Sequence, residues 1–412
     1  MDFRRLWLAD AISQLGTRMT FLAAPLVAVL TLHASAFQVS LVRAAESLGA
    51  LLFGLVAGAW IDRVRCRPVL LVTDFGRFAV LATVPVAAVF GSLTLGHLYV
   101  AMFVLGTLSI WFTVAHQSYL PRLLPAAELV SANAKLSANT SVAALAGASA
   151  GGFLVQLLTA PLVFAVDALS FLWSALWIRS VRHREPPVER APDRHLGREI
   201  AEGLRFVVRQ PLLRAIAGHT ATFVLWQSAS SAVTVVFLVR TLGLSAWAIG
   251  VLSTVGLCGA LLAAATAGRL TARFGQARVL LAATVLLGPA YVVQGFTTPG
   301  WGLAWFVVSM FLASLGIVLV GVTEMTCRQL VCPPALLGRV NATMEFTIWA
   351  VMPLGAVLGG GLATWLGLRE TLFIAGAGGC LAALWVVCSP LRRIRDFADF
   401  VGPRWQSLAH GT

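Results

Sequence analysis

Residues 58–68, with the sequence GAWIDRVRCRP, form a short polar segment between two long apolar runs and are called the signature segment below. Its charged side chains are Asp62, Arg63, Arg65 and Arg67. Each neighbouring run reaches the roughly 20 residues that a helix needs to cross a hydrocarbon core of about 30 Å. The segment is therefore predicted to be a loop at the membrane surface that joins two membrane-spanning helices.

The composition extends this prediction to the whole chain. Of its 412 residues, 58% are hydrophobic and 11% are charged, whereas a soluble domain has about 25% charged residues. A soluble fold of this size would lack the polar side chains to cover its surface. Long apolar runs recur along the chain, whereas a membrane β-barrel has short alternating segments. The predicted class is an all-α polytopic membrane protein.

Twelve membrane spans are predicted, with a long polar break after the sixth. The spans lie near residues 6–31, 38–61, 68–90, 97–118, 132–157, 161–179, 213–238, 246–267, 278–297, 301–324, 339–365 and 370–389. They divide the chain into a six-helix bundle at 1–180, a linker at 181–212, a second bundle at 213–390 and a tail at 391–412. The linker repeats Leu196, Ile200, Leu204 and Val208 every four residues, which predicts an amphipathic helix on the membrane surface.

Arginines account for the formal net charge of +13. They cluster at the ends of apolar runs, as topology signals do, so binding to nucleic acid is rejected. The loops alternate between Arg-rich and Arg-poor, with Arg240 and Arg369 as exceptions. The positive-inside rule then predicts that both termini are cytoplasmic.

The two halves of the chain repeat each other. Gly58 and Arg63 recur as Gly268 and Arg273 at an offset of 210 residues. At an offset of 208, the glycines Gly147, Gly151 and Gly152 recur as Gly355, Gly359 and Gly360. Small residues at this spacing let helices approach closely, so these six are predicted to serve helix packing. A constant offset predicts two pseudo-symmetric bundles in the same orientation.

The signature segment resembles the loop between helices 2 and 3 of the major facilitator superfamily. Gly58, Asp62, Arg63 and Arg67 match that family pattern, whereas Arg65 stands where the family has glycine. The form Asp-Arg-Val-Arg-x-Arg-Pro is similar to a bacterial branch of enterobactin-exporter-like and macrolide-efflux-like proteins. The resemblance implies a twelve-helix transporter of a bacterial cytoplasmic membrane that exports a small organic molecule. Span 5 departs from the family's antiporter pattern, because Ala143 and Ala148 replace a glycine and the proline.

A conformational gate is predicted at the signature segment. Asp62 follows a membrane helix, and its expected partner is the N-terminal end of span 11 near Gly338 and Arg339. A helix N-terminus favours a carboxylate by up to about 2 kcal/mol in a partly buried geometry. The second copy of the segment has Ala272 in place of Asp62, so the predicted latch is not repeated. For Arg63, Arg65 and Arg67, a role as topology anchors is the alternative.

Charged residues inside predicted spans need an explanation, because each costs about 2.5–3.5 kcal/mol to insert. Asp10, Gln14 and Arg18 share one face of span 1. The family resemblance implies that helix 1 lines the central cavity, so these residues are expected to form a polar stripe along it. The alternative is that Asp10 is solvated at the helix end. Arg43 and Glu46 of span 2 form either a static ion pair or a proton-responsive one.

Four carboxylates are candidates for proton coupling: Glu324, Glu345, Glu46 and Asp10. Removal of a carboxyl group from water favours its protonated form, which lets it exchange protons near neutral pH. Glu324 and Glu345 are the preferred pair, and interdomain salt bridges are the alternative for them. Asp167 in span 6 is assigned a structural role.

The remaining candidates are side chains that suit the wall of a substrate cavity. With Gln14, Arg18 and Arg43 from the first spans, they are Trp111, His219, Phe223, Trp226 and Gln227. Aromatic side chains accept lipophilic compounds, although core or lipid-facing positions are the alternative.

No enzyme motif, ATP-binding loop or metal-ligand spacing is present in the sequence, and the six cysteines are scattered. These absences predict a protein that is not an enzyme, has no cofactor and is not driven directly by ATP. The family resemblance implies export of a drug, macrolide-like antibiotic or siderophore, and we expect a monomer driven by protons. An importer or uniporter of a metabolite is the alternative within the fold. A membrane sensor or scaffold is the alternative from another class.

Overall fold

The computed structural model describes residues 2–61, 63–181, 185 and 196–397. Within these residues the chain is built from thirteen α-helices and a few short helical turns. The helices are α1 (Asp2–Leu26), α2 (Ala36–Ile61), α3 (Cys66–Val89), α4 (Leu95–Leu123), α5 (Ala126–Leu157), α6 (Ala160–Ser180), α7 (Leu196–Arg209), α8 (Pro211–Val236), α9 (Ala246–Phe274), α10 (Gln276–Gln294), α11 (Leu303–Val331), α12 (Pro334–Leu366) and α13 (Leu368–Val387).

Every helix except α7 is long and apolar enough to cross a membrane, which gives twelve spans in the described part of the chain. The prediction of a twelve-helix membrane protein is confirmed. Several helices extend beyond the predicted spans, such as α12, which begins at Pro334 rather than near residue 339. Sequence hydropathy marks the hydrocarbon-length core of a helix, whereas the helix itself continues into polar residues.

The Cα packing divides the molecule into two compact units. The first unit comprises Met1–Asp193 with Ala232–Thr254, and the second comprises Arg194–Ser231 with Val255–Thr412. In the first unit α1 packs against α5 and α6, and α4 packs against α2 and α3. In the second unit α10 packs between α11 and α13, and α7 packs against α12. The predicted bundle limits at 180 and 213 stay a prediction.

The repeat is visible in the backbone where α1 and α8 end. Each helix finishes in one π-helical turn, Val27–Thr31 after α1 and Phe237–Thr241 after α8. The second residue after each of these turns has a left-handed backbone conformation: His33 with φ 51° and Gly243 with φ 66°. Both pairs of features are offset by 210 residues, the offset that the sequence predicts. The halves α1–α6 and α8–α13 therefore share even this irregular turn.

The amphipathic linker helix is α7, and it uses a different face from the predicted stripe for packing. Gly203 and Val207 are buried, whereas Leu204 and Val208 are each 51% exposed. Gly203 lies so close to α12 that a Cβ there would stand 2.8 Å from the carbonyl oxygen of Arg339. The stripe residues with described side chains therefore remain free to face a membrane surface.

Candidate functional site

Glu185 organises the described part of the signature segment. Its carboxylate accepts hydrogen bonds from the backbone N–H groups of Cys66 and Arg67, each at 2.7 Å, at the start of α3. Arg122 of α4 lies 3.2 Å from the same carboxylate, and Arg67 donates to the carbonyl of Arg179 at 2.7 Å. A carboxylate at a helix N-terminus satisfies free N–H groups and the helix dipole. The sequence analysis missed Glu185, whose only signal is an acidic residue within a basic linker.

All predicted gate residues except Asp62 lie in the described part of the chain. Asp62 lies outside the described residues, so its pairing with the start of α12 stays a prediction. Arg63 and Gly338 are exposed, and a Cβ on Gly58 or Gly338 would meet no atom of the described residues within 4 Å. Arg339 forms an ion pair with Glu202 of α7. In the second unit this arginine thus holds the linker helix against α12.

Asp10 is the centre of a polar network between α1 and α5. It is 6% exposed and accepts hydrogen bonds from Asn139 at 2.9 Å and from Gln14 at 3.3 Å. It is therefore hydrogen-bonded inside the first unit rather than solvated at the helix end. Arg18, on the same face of α1, is half-buried. The sequence analysis did not find Asn139.

Arg43 and Glu46 form the ion pair that the sequence suggests, at 3.3 Å. The Arg43 guanidinium also lies 3.4 Å from the centroid of the Phe21 ring. A cation against an aromatic face is attracted by the ring quadrupole. Both side chains are therefore held in one arrangement in this structure, with Glu46 the more exposed of the two.

The most deeply buried charges of the first unit are Asp74 and Arg77 on α3 and Asp167 on α6. Asp74 and Arg77 form an ion pair one helical turn apart. Asp167 accepts hydrogen bonds from Ser170, at 3.0 Å, and from Thr20. Asp74 and Arg77 were not proposed from the sequence. In the sequence they have the same feature as Arg43 and Glu46, which is a pair of opposite charges three residues apart within a predicted span.

Among the described residues of the second unit, the buried carboxylate is that of Glu324 on α11. It is 9% exposed, accepts a hydrogen bond from the hydroxyl of Thr220 at 3.2 Å, and interacts electrostatically with Arg328 one turn later. Glu345 is exposed on α12. The structure therefore separates the two carboxylates that the sequence analysis treated alike, because only Glu324 is withdrawn from the surface.

The predicted cavity aromatics of α8 pack against helices of their own unit. The His219 ring contacts the carbonyl of Ala382 at 3.2 Å and stacks on Phe223. Trp226 lies against Gly378 of α13, and Gln227 donates to the Tyr291 hydroxyl at 3.1 Å. On α4, Trp111 makes an edge-to-face contact with Trp60, with ring centroids 5.2 Å apart. Of these side chains His219 and Phe223 are buried, and a substrate-binding role for the set stays a prediction.

The glycines predicted for helix packing lie at close helix contacts where the described residues show a neighbour. Gly147 and Gly151 face Arg18 and Met19 of α1, and Gly152 faces the start of α9. Gly355 and Gly359 face α8 at Leu225 and Ala229. Added Cβ atoms would collide with these neighbours, so the helices approach as closely as glycine allows. Gly360 is buried on α12.

The family described as transmembrane secretion effector matches residues 1–407, nearly the whole chain. The chain belongs to this family of major facilitator transporters. Membership also makes it a transporter and not an enzyme. No group of three or more His, Cys, Asp or Glu side chains that could hold a metal lies among the described residues.

Relatives within the superfamily include named efflux proteins. The chain is 30% identical over 404 residues to the multidrug efflux pump Tap of Mycolicibacterium fortuitum, covering 93% of this chain and 94% of that protein. It is 29% identical over 353 residues to the class C tetracycline resistance protein of Escherichia coli, covering 82% of each. A crystal structure of the nucleoside transporter NupG superposes with a TM-score of 0.76 at 10% identity, covering 95% of this chain and 99% of that one. At this identity the structural likeness concerns the fold alone.

Proposed function

We propose that this transporter exports small organic molecules across a bacterial cytoplasmic membrane in exchange for protons. A drug, macrolide-like antibiotic or siderophore is the expected class of substrate. Two bundles that alternate access to a site near the bilayer midplane would carry out the exchange. The predicted limits of these bundles, 1–180 and 213–390, form part of the proposal, as does a monomeric state.

The observation that carries the proposal is the buried carboxylate of Glu324. A carboxyl group withdrawn from water inside a membrane helix is costly and is a functional-site hypothesis by default. Its partner Thr220 has a hydroxyl group, which donates to a carboxylate and accepts from a protonated carboxyl group. The same contact therefore serves both protonation states, as a site that loads and unloads a proton requires. Similarity to an efflux pump and to a resistance protein supports export.

The arginine pattern supports cytoplasmic termini. Most helix-end arginines lie at alternate connections, at the start of α1, between α2 and α3, and at the ends of α6, α9 and α13. The two exceptions each have a structural contact: Arg240 donates to the Ala34 carbonyl at 2.5 Å, and Arg369 to the Thr297 carbonyl at 3.0 Å. These hydrogen bonds give each of the two arginines a structural role. Neither exception therefore contradicts the positive-inside pattern of the other arginines.

Transport in proteoliposomes tests the function. With tetracycline and, separately, the lipophilic cation ethidium as probes, an imposed pH gradient should drive uptake of at least one probe. Glu324→Gln should abolish gradient-driven uptake and leave probe binding measurable. Glu128→Gln, at an exposed carboxylate of α5, is the matched control and should transport like the wild type.

The alternatives give different results in the same vesicles. Probe movement that follows its own gradient and ignores the pH gradient would identify a uniporter. Accumulation in the import direction would identify an importer. No movement across a broad panel of substrates would favour a sensor or scaffold. Full gradient-driven transport by both Glu324→Gln and Glu345→Gln would contradict proton coupling at these carboxylates.

Cysteine labelling tests the orientation. Cys388 is exposed just beyond α13, whereas Cys332, just beyond α11, is buried. Burial raises the pKa of the Cys332 thiol to about 11, so little of the reactive thiolate forms at neutral pH. An impermeant maleimide should label Cys388 in inverted vesicles and not in intact cells, and Cys332 in neither. Labelling of Cys388 in intact cells would contradict cytoplasmic termini.

A further inference from the structure

The buried charges Asp74, Arg77 and Asp167 have no role in the function proposed above. Asp74 and Asp167 are 0% exposed and Arg77 is 4% exposed. They lie inside the first unit, where α3 packs against α6 and α6 against α1. Apolar side chains would fill such a position at lower cost, because burial of an ion pair often stabilises less than burial of apolar residues. Three buried charges in one place therefore call for a functional explanation.

Arg77 is a fixed positive charge in this cluster. Its guanidinium carbon lies 4.0 Å from the centroid of the Phe112 ring and 4.1 Å from that of the Phe171 ring, so that an aromatic ring flanks it from α4 and another from α6. Both contacts favour the cationic form, and a guanidinium does not lose its proton in proteins. Its ion pair gives Asp74 a cationic partner one helical turn away on the same helix.

Asp167 has a different environment from Asp74. Its two oxygens are hydrogen-bonded to hydroxyl groups, one to Ser170 of α6 and the other to Thr20 of α1. Hydroxyl groups rotate, so either one donates to a carboxylate or accepts from a carboxylic acid. The cluster thus holds one carboxylate matched to a cation and one carboxyl group with partners suited to both protonation states.

The charges around Asp167 leave one negative charge uncompensated when both aspartates are ionised. Arg77 interacts with both Asp74 and Asp167, and Glu46 of α2, which also interacts with Asp167, has Arg43 as its own partner. His116 of α4 interacts electrostatically with Arg77 and with Asp10 of α1. On the remaining neighbour, α5, the charged residues Glu128 and Lys135 are exposed. One additional proton therefore neutralises the buried group, and a net charge within a membrane is expensive.

We propose that the carboxyl group of Asp167 is a second proton-binding site of this transporter, beside an Asp74–Arg77 ion pair whose two charges balance each other. The protonated Asp167 carboxyl group donates a hydrogen bond to the hydroxyl oxygen of Thr20 or Ser170. When the proton is lost to water, only the carboxyl O–H bond breaks, and both hydroxyl groups then donate to the carboxylate.

Occupancy of this site is independent of whether the protein exports anything, whereas its part in coupling rests on the proposed function. Infrared difference spectroscopy of the full chain in proteoliposomes measures occupancy directly, because a protonated carboxyl group has a C=O stretch separate from that of carboxylates. We expect one protonated aspartate whose band weakens as the medium is made alkaline. Labelling the aspartate side-chain carboxyl carbons with ¹³C should shift this band, which excludes Glu324 as its source without any substitution.

Asp167→Asn should remove the band, because asparagine copies the neutral form. Glu128→Gln, the exposed control, should keep it. A proton on His116 instead would leave no band that responds to the aspartate label, and that result would overturn the proposal even if Asp167→Asn failed to fold. A labelled band that persists in Asp167→Asn would overturn it too. If the band is lost as expected, gradient-driven uptake of tetracycline by the same variant then reports coupling separately from occupancy.

Discussion

The halves α1–α6 and α8–α13 share one backbone plan but bury different chemistry. Helices α4 and α11 correspond at an offset of 208 residues, so His116 occupies the place of Glu324. Helices α1 and α8 correspond at 210, so Asp10 occupies the place of Thr220. Both halves thus have a polar pair at the same two positions of the repeat. The acidic residue of the pair is on the first helix in one half and on the fourth helix in the other.

The buried charge cluster exists in the first half only. The positions that correspond to Asp74, Arg77 and Asp167 are Thr284, Leu287 and Ala375, and all three are buried. The second half therefore shows that this helix packing forms without charge. Charge in the first half is then an addition to the fold rather than a requirement of it, which favours a functional origin.

The largest expected effect comes from breaking the cluster at its cation. Arg77→Leu copies the second half at one position and leaves two buried carboxylates without their partner. Removal of one member of a buried ion pair costs about 3–5 kcal/mol. We expect the free energy of unfolding, measured in detergent micelles, to fall by about 3–5 kcal/mol.

A variant that copies the second half at all three positions is the control for Arg77→Leu. The triple variant Asp74→Thr, Arg77→Leu and Asp167→Ala reproduces the second half and should recover most of the lost stability, because an apolar replacement of a buried ion pair is often neutral. A triple variant as unstable as Arg77→Leu would show that the two halves pack differently here. A stable Arg77→Leu variant would refute the importance of the cation.

A smaller effect is expected where α1 approaches the cluster. A Cβ on Gly16 would collide with Asp167 and Ser170, whereas the corresponding position in the second half is Trp226. Gly16→Ala should therefore lower the free energy of unfolding by about 1–3 kcal/mol through overpacking. Gly58→Ala is the matched control, because a Cβ there meets open space among the described residues. Equal stability of both variants would contradict the close α1–α6 contact.

The smallest expected effect concerns the turns that follow the π-helical segments. Gly243→Ala places a Cβ at φ 66°, where an L-residue costs about 1–2 kcal/mol. His33 already occupies the equivalent turn at φ 51°. His33→Gly should change stability by less than about 0.5 kcal/mol, because relief of strain is offset by the greater freedom of glycine in the unfolded chain. Thermal unfolding should show a clear loss of stability for Gly243→Ala and almost none for His33→Gly. An equal loss of stability in both variants would show that the two turns are not equivalent.

Most of the architecture was predictable, and most of the side-chain contacts were not. The spans follow from hydropathy, because a bilayer requires long apolar helices. The repeat follows from residues at fixed offsets, such as Gly58 with Gly268. Asp10 and Glu324 were recognised because a charge in an apolar run is rare. Which of the candidate carboxylates is withdrawn from the surface was not predictable, and Glu345 proved exposed where Glu324 is buried.

By itself, the sequence determined the class of protein, the number of spans and the twofold repeat, since each follows from residues close together or at a constant offset. The tertiary structure decided which distant groups meet: Asp167 with Thr20, Glu185 with the start of α3, and Arg339 with the linker helix. In a soluble helix the apolar stripe identifies the buried face. In a membrane helix the lipid-facing side is as apolar as the packed side, so only the packing itself shows which side chains face one another.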